Sequence, residues 1–317
     1  MALTAVASVA ARSDASPAGP TPSVAIFFYP WWGTPARDGG YQHWSQGGAT
    51  PPASIASSFY PARGVYSSTD ADVLRAQMAD IAGAKIDTVI VSWWGAGSVE
   101  DARLPAVIAA ARAAGLRVAI HIETYPSRTP TTVAADVGRL RGLGITDFYV
   151  YDSTFTPDAG WATMNESLAG VRLFADTALP GKAAAGGFAG MYTYDVYTYT
   201  GPSFQRVCAS ARRLGLACAP SVGPGYDARR ATGLTNVRSR RNGTTYDGMW
   251  REAIKARAPI VTLTSYNEWH EGTQIEPALA GRPGYESYDG AWGLHGKAAQ
   301  RAYLDRTAYW VDRYRRR

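Results

Sequence analysis

The chain has 317 residues, 46% of them hydrophobic and 18% charged, with a net charge of +6 and a pI near 9.3. That supply of apolar side chains fills a core and excludes intrinsic disorder as a description of the whole chain. The longest uninterrupted apolar runs, such as Val24 to Tyr29, fall far short of the ~20 residues that a membrane-crossing helix needs, which excludes a membrane span.

The first 22 residues, rich in Ala, Ser and Pro, read as a disordered lead or the remnant of an export signal, although no basic start precedes the apolar stretch. From residue 23 onward, β-rich runs alternate with helical patterns at a nearly steady interval. Strands are expected at Val24 to Phe28, Thr88 to Ser92, Arg117 to Ile122, Asp147 to Tyr151, Val171 to Ala175, Gly190 to Thr193, Leu216 to Ser221 and Pro259 to Thr264. Most are near-continuous apolar runs, as expected for strands covered on both faces. Helices are expected near Asp70 to Ala84, Asp101 to Ala114, Thr131 to Leu143, Pro157 to Leu168, Thr177 to Ala185, Phe204 to Leu214, Tyr246 to Arg257 and Gly296 to Tyr314, with the fifth the weakest pattern. Eight strand–helix pairs without a Pro/Gly/Ser-rich linker predict a single α/β domain, a closed (β/α)8 barrel over residues 23–317.

An open doubly wound sheet would place a Gly-rich turn after its first strand, whereas YPWWGTPARDGG stands there, so no nucleotide cofactor is expected. The stretch from Gly39 to Ser68 lacks periodicity and is expected to form a functional loop at the barrel mouth. Cys208 and Cys218 are too few for a disulfide framework and lack zinc spacing. One falls on a helix and the other on the following strand, so two buried free thiols are the expectation and a single disulfide the alternative. The basic excess is arginine, with four lysines only. Apart from Arg229/Arg230, Arg238 to Arg241 and Arg315 to Arg317 it is scattered along the sequence, so nucleic acid is not an expected partner. Ten Trp and nineteen Tyr suit a groove that stacks on sugar faces, although most must be core or ordinary surface.

In such barrels the working residues lie at the C-terminal ends of the strands. The strand ends carry, in chain order, Tyr29-Pro30-Trp31-Trp32, Trp93-Trp94, His121-Ile122-Glu123-Thr124-Tyr125, Tyr151-Asp152, Tyr192-Thr193-Tyr194-Asp195, VGPGYDARR and SYNEWHEGTQIEP. Aromatics and carboxylates converge on one rim. The last segment places Glu268, Glu271 and Glu276 with Asn267 and His270 directly after a buried strand. Residues three apart on a regular strand face opposite ways, so Glu268 and Glu271 share a site only if the chain turns between them. Two such carboxyls flanking one bond are what acid/base cleavage of a glycoside requires, one kept protonated by burial and by its neighbour's charge. The bland alternative is a capping or salt-bridge pair. His121, Glu123, His270 and Glu271 could supply ligands to a divalent metal, but the chain has only four histidines and no HxxxH pair, so no metal is expected. A nucleophilic triad is disfavoured by the absence of a GxSxG elbow.

YNEWHEGTQIEP, with HIETY, SFYP, YSS, FYVYD, PSVGPGY and NVRSRRNG, resembles glycoside hydrolase family 99, the endo-α-1,2-mannosidases and endo-α-1,2-mannanases, from about Val24 to Trp310. The resemblance implies a (β/α)8 barrel that cleaves internal α-mannosidic linkages with retention and without a metal, through a 1,2-anhydro sugar formed by the substrate's own 2-hydroxyl. It makes Glu268 the base that draws the proton from that hydroxyl, and Glu271 the acid that protonates the leaving oxygen and then activates water. It further implies Glu123 as an inward carboxylate holding sugar hydroxyls, and Tyr29 and Tyr194 as the lining of the cleavage subsite. Arg230, after PSVGPGY, becomes a substrate contact; Tyr226 within that turn and Asn267 beside the base join it, and Trp94 is the aromatic one sugar further out. Two departures stand out: a short segment between strands three and four where the family carries a His- and aromatic-containing loop, and Ala189 where an acidic residue is usual. They leave a relative acting on another α-linked polysaccharide as an alternative, with a non-catalytic carbohydrate-binding barrel as a third reading. A monomer acting on an α-mannoside oligosaccharide or polysaccharide, exported from the cell, is the resulting expectation.

Overall fold

The computed structural model describes residues 22–317; the expected lead, apart from Pro22, lies outside the described residues. Eight parallel strands close into a barrel: β1 (Ser23–Phe28), β2 (Thr88–Trp93), β3 (Arg117–Ile122), β4 (Asp147–Val150), β5 (Arg172–Asp176), β6 (Gly190–Thr193), β7 (Ala217–Val222) and β8 (Ile260–Leu263). Each pairs with its sequence neighbours, and β1 closes on β8 with Ser23 opposite Ile260. The helices α1 (Ala71–Gly83), α2 (Val99–Ala113), α3 (Pro130–Arg141), α4 (Asp158–Ser167), α5 (Pro180–Ala185), α6 (Phe204–Arg213), α7 (Thr244–Lys255) and α8 (Ala302–Arg315) follow the strands in turn. The expected alternation is therefore the observed one. The eighth helix starts later than its pattern suggests, because Gly296–Arg301 forms a 3-10 turn before the α-helix begins.

Local chemistry explains the helix starts. Asp70 accepts from the Asp72 and Val73 amides ahead of α1, Ser98 from Asp101 ahead of α2, and Thr129 forms a capping box with Thr132 ahead of Pro130 at the first position of α3. On α6 the buried residues Phe204, Val207, Cys208 and Ala211 recur at helical spacing and face the barrel. That packing brings Cys208 against Cys218 on β7, and the two are bonded with Cα atoms 5.3 Å apart. The expectation of free thiols is thus corrected: a ten-residue helix-to-strand return reaches bridging distance.

Inside the barrel the Phe27 ring meets His121, Tyr192, Tyr194 and Tyr149 at 4.7, 5.7, 5.0 and 6.0 Å. This aromatic layer fills the interior beneath the C-terminal rim. Above it the loop over residues 39–68 lies across the return from β8: Ala62 N donates to Pro277 O at 2.8 Å and Leu279 N to Tyr60 O at 2.7 Å.

Candidate active site

After β8 the chain doubles back on itself. Ser265 N donates to Thr273 O at 2.9 Å and Ile275 N to Ser265 O at 2.9 Å, and Gly272 N closes the turn onto Trp269 O at 3.2 Å. The turn needs a glycine: Gly272 has φ of +61°, and an added Cβ would sit 3.0 Å from Asp227 O. Glu268 and Glu271 flank this turn, which is the condition for both to serve one site. Arg240, from NVRSRRNG, holds the loop by donating from Nη2 to Gly272 O at 2.9 Å and Gln274 O at 2.7 Å. Its guanidinium lies 4.5 Å over Phe59, 4.8 Å over Tyr288 and 4.7 Å over Tyr303. Beneath the loop, Glu276 is fully buried and accepts from Tyr66 OH at 2.7 Å, Trp269 Nε1 at 2.9 Å and Gln77 Nε2 at 2.9 Å, with Arg63 Nε at 3.3 Å. The third glutamate of the segment is therefore an anchor.

Glu268 is buried, and its Oε1 accepts from the His270 amide at 3.1 Å. Burial and the charge of Glu271 push its carboxyl well up, against the amides of His270 and Glu271, which favour the ionised form. Glu271 is partly exposed. Burial first, then the charges of Asp195 and Glu123, push it up to about 8. Among the described residues no donor offsets that rise at Glu271, whereas two amides favour the ionised form of Glu268. His270 Nδ1 stands 3.7 Å from Glu268 Oε1, but burial drives His270 down to about 4 and its Nε2 is spent on His43 O at 2.8 Å. It is a neutral neighbour near pH 7.

The other expected residues divide. Tyr29 and Tyr194 join hydroxyl to hydroxyl, and both are pushed well up by burial and by charges that include Glu268 and Glu271. Tyr226 is pushed up to about 12 by burial, Glu271 and Asp195. Glu123 accepts from Ser92 Oγ at 2.7 Å and lies 2.9 Å from His121 Nδ1, off the line of a hydrogen bond. Trp94 stands half-buried just past β2, its indole N–H without a protein partner. Asn267 departs from expectation. It is fully buried and exchanges hydrogen bonds with the Tyr29 main chain, Tyr29 N to Oδ1 at 2.8 Å and Nδ2 to Tyr29 O at 2.9 Å, so it fixes the end of β1 and offers nothing to the cleft. Arg230 is exposed, bonded to Gly284 O and stacked 4.4 Å over Tyr285.

Several groups of the site were given no role of their own from the sequence. Asp195 is the first charge acting on Glu271. Asp176, at the end of β5, is pushed up to about 6 by burial and accepts from Tyr194 N at 3.1 Å; a carboxylate directly after the apolar run LFA was its signal. Trp31 stacks between Tyr29 at 4.6 Å and His43 at 4.6 Å. Of the two departures, Ala189 precedes β6 and so sits at the opposite end of the barrel from the carboxylates. The short segment leaves only residues 123–129 between β3 and α3, and Arg128 seals it by donating to Tyr151 O at 2.7 Å. Among the described residues no three His, Cys, Asp or Glu side chains converge as a metal-binding group, and His121 Nε2 is engaged by Tyr192 OH at 2.8 Å.

Comparison with known proteins agrees with this geometry. A Danio rerio glycoprotein endo-alpha-1,2-mannosidase-like protein is 32% identical, over 91% of this chain and 75% of its own length. A Xenopus laevis glycoprotein endo-alpha-1,2-mannosidase is 29% identical, over 91% of this chain and 76% of its own. The solved GH99 endo-alpha-mannosidase of Bacteroides thetaiotaomicron, in complex with bis-tris-propane, superposes with a TM-score of 0.83 at 29% identity, covering 93% of this chain and 97% of that one. The family described as glycosyl hydrolase family 99 matches residues 21–316. With nearly the whole chain matched and two acidic side chains flanking the turn after β8, the protein belongs to glycosyl hydrolase family 99.

Proposed function

We propose that the protein is a retaining, endo-acting hydrolase of internal α-1,2-mannosidic linkages in mannan or N-glycan-type oligosaccharides. The observation that carries the reading is the Glu268/Glu271 pair, two carboxyls flanking one turn after β8, both pushed up by burial and by the charge of Glu123. The activity named for the relatives supports the linkage. In the first step Glu268 takes the proton from the substrate's 2-hydroxyl, O2 attacks C1 from the face opposite the leaving oxygen, and Glu271 protonates that oxygen as the C1–O bond breaks. A 1,2-anhydro sugar results. Glu271, now ionised, takes a proton from water, which opens the anhydro ring at C1, and Glu268 returns its proton to O2. Two inversions at C1 give net retention.

Glu123, Tyr29, Tyr194, Tyr226 and Trp94 are the sugar contacts in this reading, with Asn267 acting through Tyr29. Arg230 belongs to the outer rim. The steps ask for no cofactor, and one chain supplies every group, which fits a monomer. The Cys208–Cys218 bond supports export, since disulfides persist in oxidising compartments. The short β3–α3 connection favours the alternative of a different α-linked polysaccharide as natural substrate.

Product analysis on a panel of α-linked manno-oligosaccharides tests linkage, endo action and anomeric outcome together. The expected result is internal α-1,2 cleavage with the α-anomer released first, and a loss of about 10²–10⁴-fold in kcat in Glu271→Gln. Inverted product, or turnover undiminished in that variant, removes the reading.

A further inference from the structure

The arginines that are scattered in sequence are gathered by the fold. Arg251 on α7 and Arg313 and Arg316 at the end of α8 line a groove of ≈ 660 Å³ between the two helices on the outer wall of the barrel. Arg317 lines both this groove and a hollow of ≈ 950 Å³ at the N-terminal end of the barrel, where Arg212 and Arg257 stand. All five of Arg212, Arg251, Arg257, Arg313 and Arg316 are exposed. The acids around them are already engaged: Glu252 by Lys255 at 2.8 Å, Asp247 by Arg306, Asp312 by Lys85, Asp87 by Arg315 and Asp147 by Arg172 at 2.6 Å. Among the described residues, none of the five has a carboxylate partner, against a net charge of +6 for the whole chain. The five therefore form one basic surface without a carboxylate partner, with Arg317 common to its two hollows.

The surface itself narrows what it can hold. A second copy of the chain would bring like charges together. Tyr309, the exposed aromatic of the groove, already carries Arg306 at 4.4 Å and Arg313 at 5.5 Å over its ring, and a lone ring is not the run of aromatic platforms on which successive nucleic-acid bases stack. What remains is recognition by charge along a track. Guanidinium groups from two helices can share the oxygens of one tetrahedral phosphate, whereas a planar carboxylate is satisfied by a single arginine fork.

We propose that this surface is a second polysaccharide site, separate from the cleavage cleft, that holds the phosphate groups of a phosphodiester-bearing α-mannan and so keeps the enzyme on its polymer. The proposal rests on the mannan-hydrolase reading above. Its test compares a phosphodiester-bearing α-mannan, the same mannan stripped of phosphate and a short neutral α-manno-oligosaccharide, for the wild type and the triple variant Arg251→Ser/Arg313→Ser/Arg316→Ser. These exposed side chains make no hydrogen bonds to the fold, so the variant keeps kcat on the neutral oligosaccharide. The wild type is expected to show a KM about tenfold lower on the phosphorylated mannan than on the stripped one, a preference lost in the variant and at ~0.5 M salt. Equal KM on the two mannans, or a preference that survives in the variant, overturns the proposal. So does a DNA oligonucleotide that displaces the phosphorylated mannan as readily as free phosphorylated mannan does in affinity electrophoresis. Failure to cleave any of the three substrates sinks the mannan-hydrolase reading instead, and electrophoretic retention by the phosphorylated mannan alone still decides the surface.

Discussion

Glu271 holds a proton near neutral pH because it combines depth with a lack of donors. Burial and the charges of Asp195 and Glu123 raise it to about 8, while at the neighbouring Glu268 the amides of His270 and Glu271 oppose the rise that burial imposes. The basic limb of kcat/KM should therefore fall near pH 8, as the acid loses its proton. A profile flat to pH 10 would show that Glu271 is not the proton donor. The same shift has a stability consequence with a definite sign. A carboxyl whose folded pKa lies above its ordinary 4.5 favours the folded state fully below pH 4.5, and that contribution is lost as pH rises towards about 8. Glu271→Gln carries no such proton. Its melting temperature should gain on the wild type between pH 4.5 and about 8 and keep a constant gap above that, as thermal scans across the range would show. A gap independent of pH would contradict the assignment.

The segment after β8 is an irregular return, and its shape depends on one arginine reaching in from a distant stretch. Arg240 satisfies two carbonyls of the turn that separates Glu268 from Glu271. Arg240→Lys keeps the charge but loses the planar fork, and a shift of the turn by a fraction of an ångström should lower kcat about tenfold or more with KM little changed. Initial-rate kinetics on a neutral oligosaccharide decide it; an unchanged kcat would leave Arg240 a packing residue. The identity of this arginine could not be read from NVRSRRNG, because which of three basic side chains turns inward depends on the aromatic stack of Phe59, Tyr288 and Tyr303 that receives it. By contrast the gathering of acids just after β8 was legible, since a pair of acids directly after an apolar strand is a local pattern. The contacts of Arg230 were hidden for the converse reason: the motif fixes its position in the chain, and the 284–286 loop that it meets is not part of the motif. The disulfide was equally hidden, because spacing gives sequence distance and only the packing of α6 on β7 gives Cα separation. Cys208→Ser should cost about 2–3 kcal/mol for a loop of this length, measured as a loss in denaturant midpoint that reductant reproduces in the wild type; an unchanged midpoint in both would mean that the thiols are free in solution.

The barrel as a whole was legible because buried parallel strands are continuous apolar runs, and each expected strand lies within a residue or two of the observed one. The helical ring was legible in number but not in how it is sealed. Its last seam, between α7 and α8, turns on Asp247, which is 7% exposed and accepts from Arg306 Nε at 2.8 Å, Trp310 Nε1 at 2.6 Å and Trp292 Nε1 at 3.1 Å. These partners pull its carboxyl below its ordinary 3.8 despite burial. Removing the charge in Asp247→Asn leaves the Arg306 guanidinium without its counter-ion and should cost about 3 kcal/mol, the low end for breaking a buried pair. For a domain of this size that corresponds to roughly 6–10 °C in melting temperature. A group whose folded pKa is depressed contributes stability above its ordinary value and loses it as pH falls through the folded one, so the difference between variant and wild type should hold from pH 7 to about pH 4 and shrink below 3.8. A variant as stable as the wild type at pH 7 would mean that the tryptophan and arginine stack, and not the carboxylate, closes the ring.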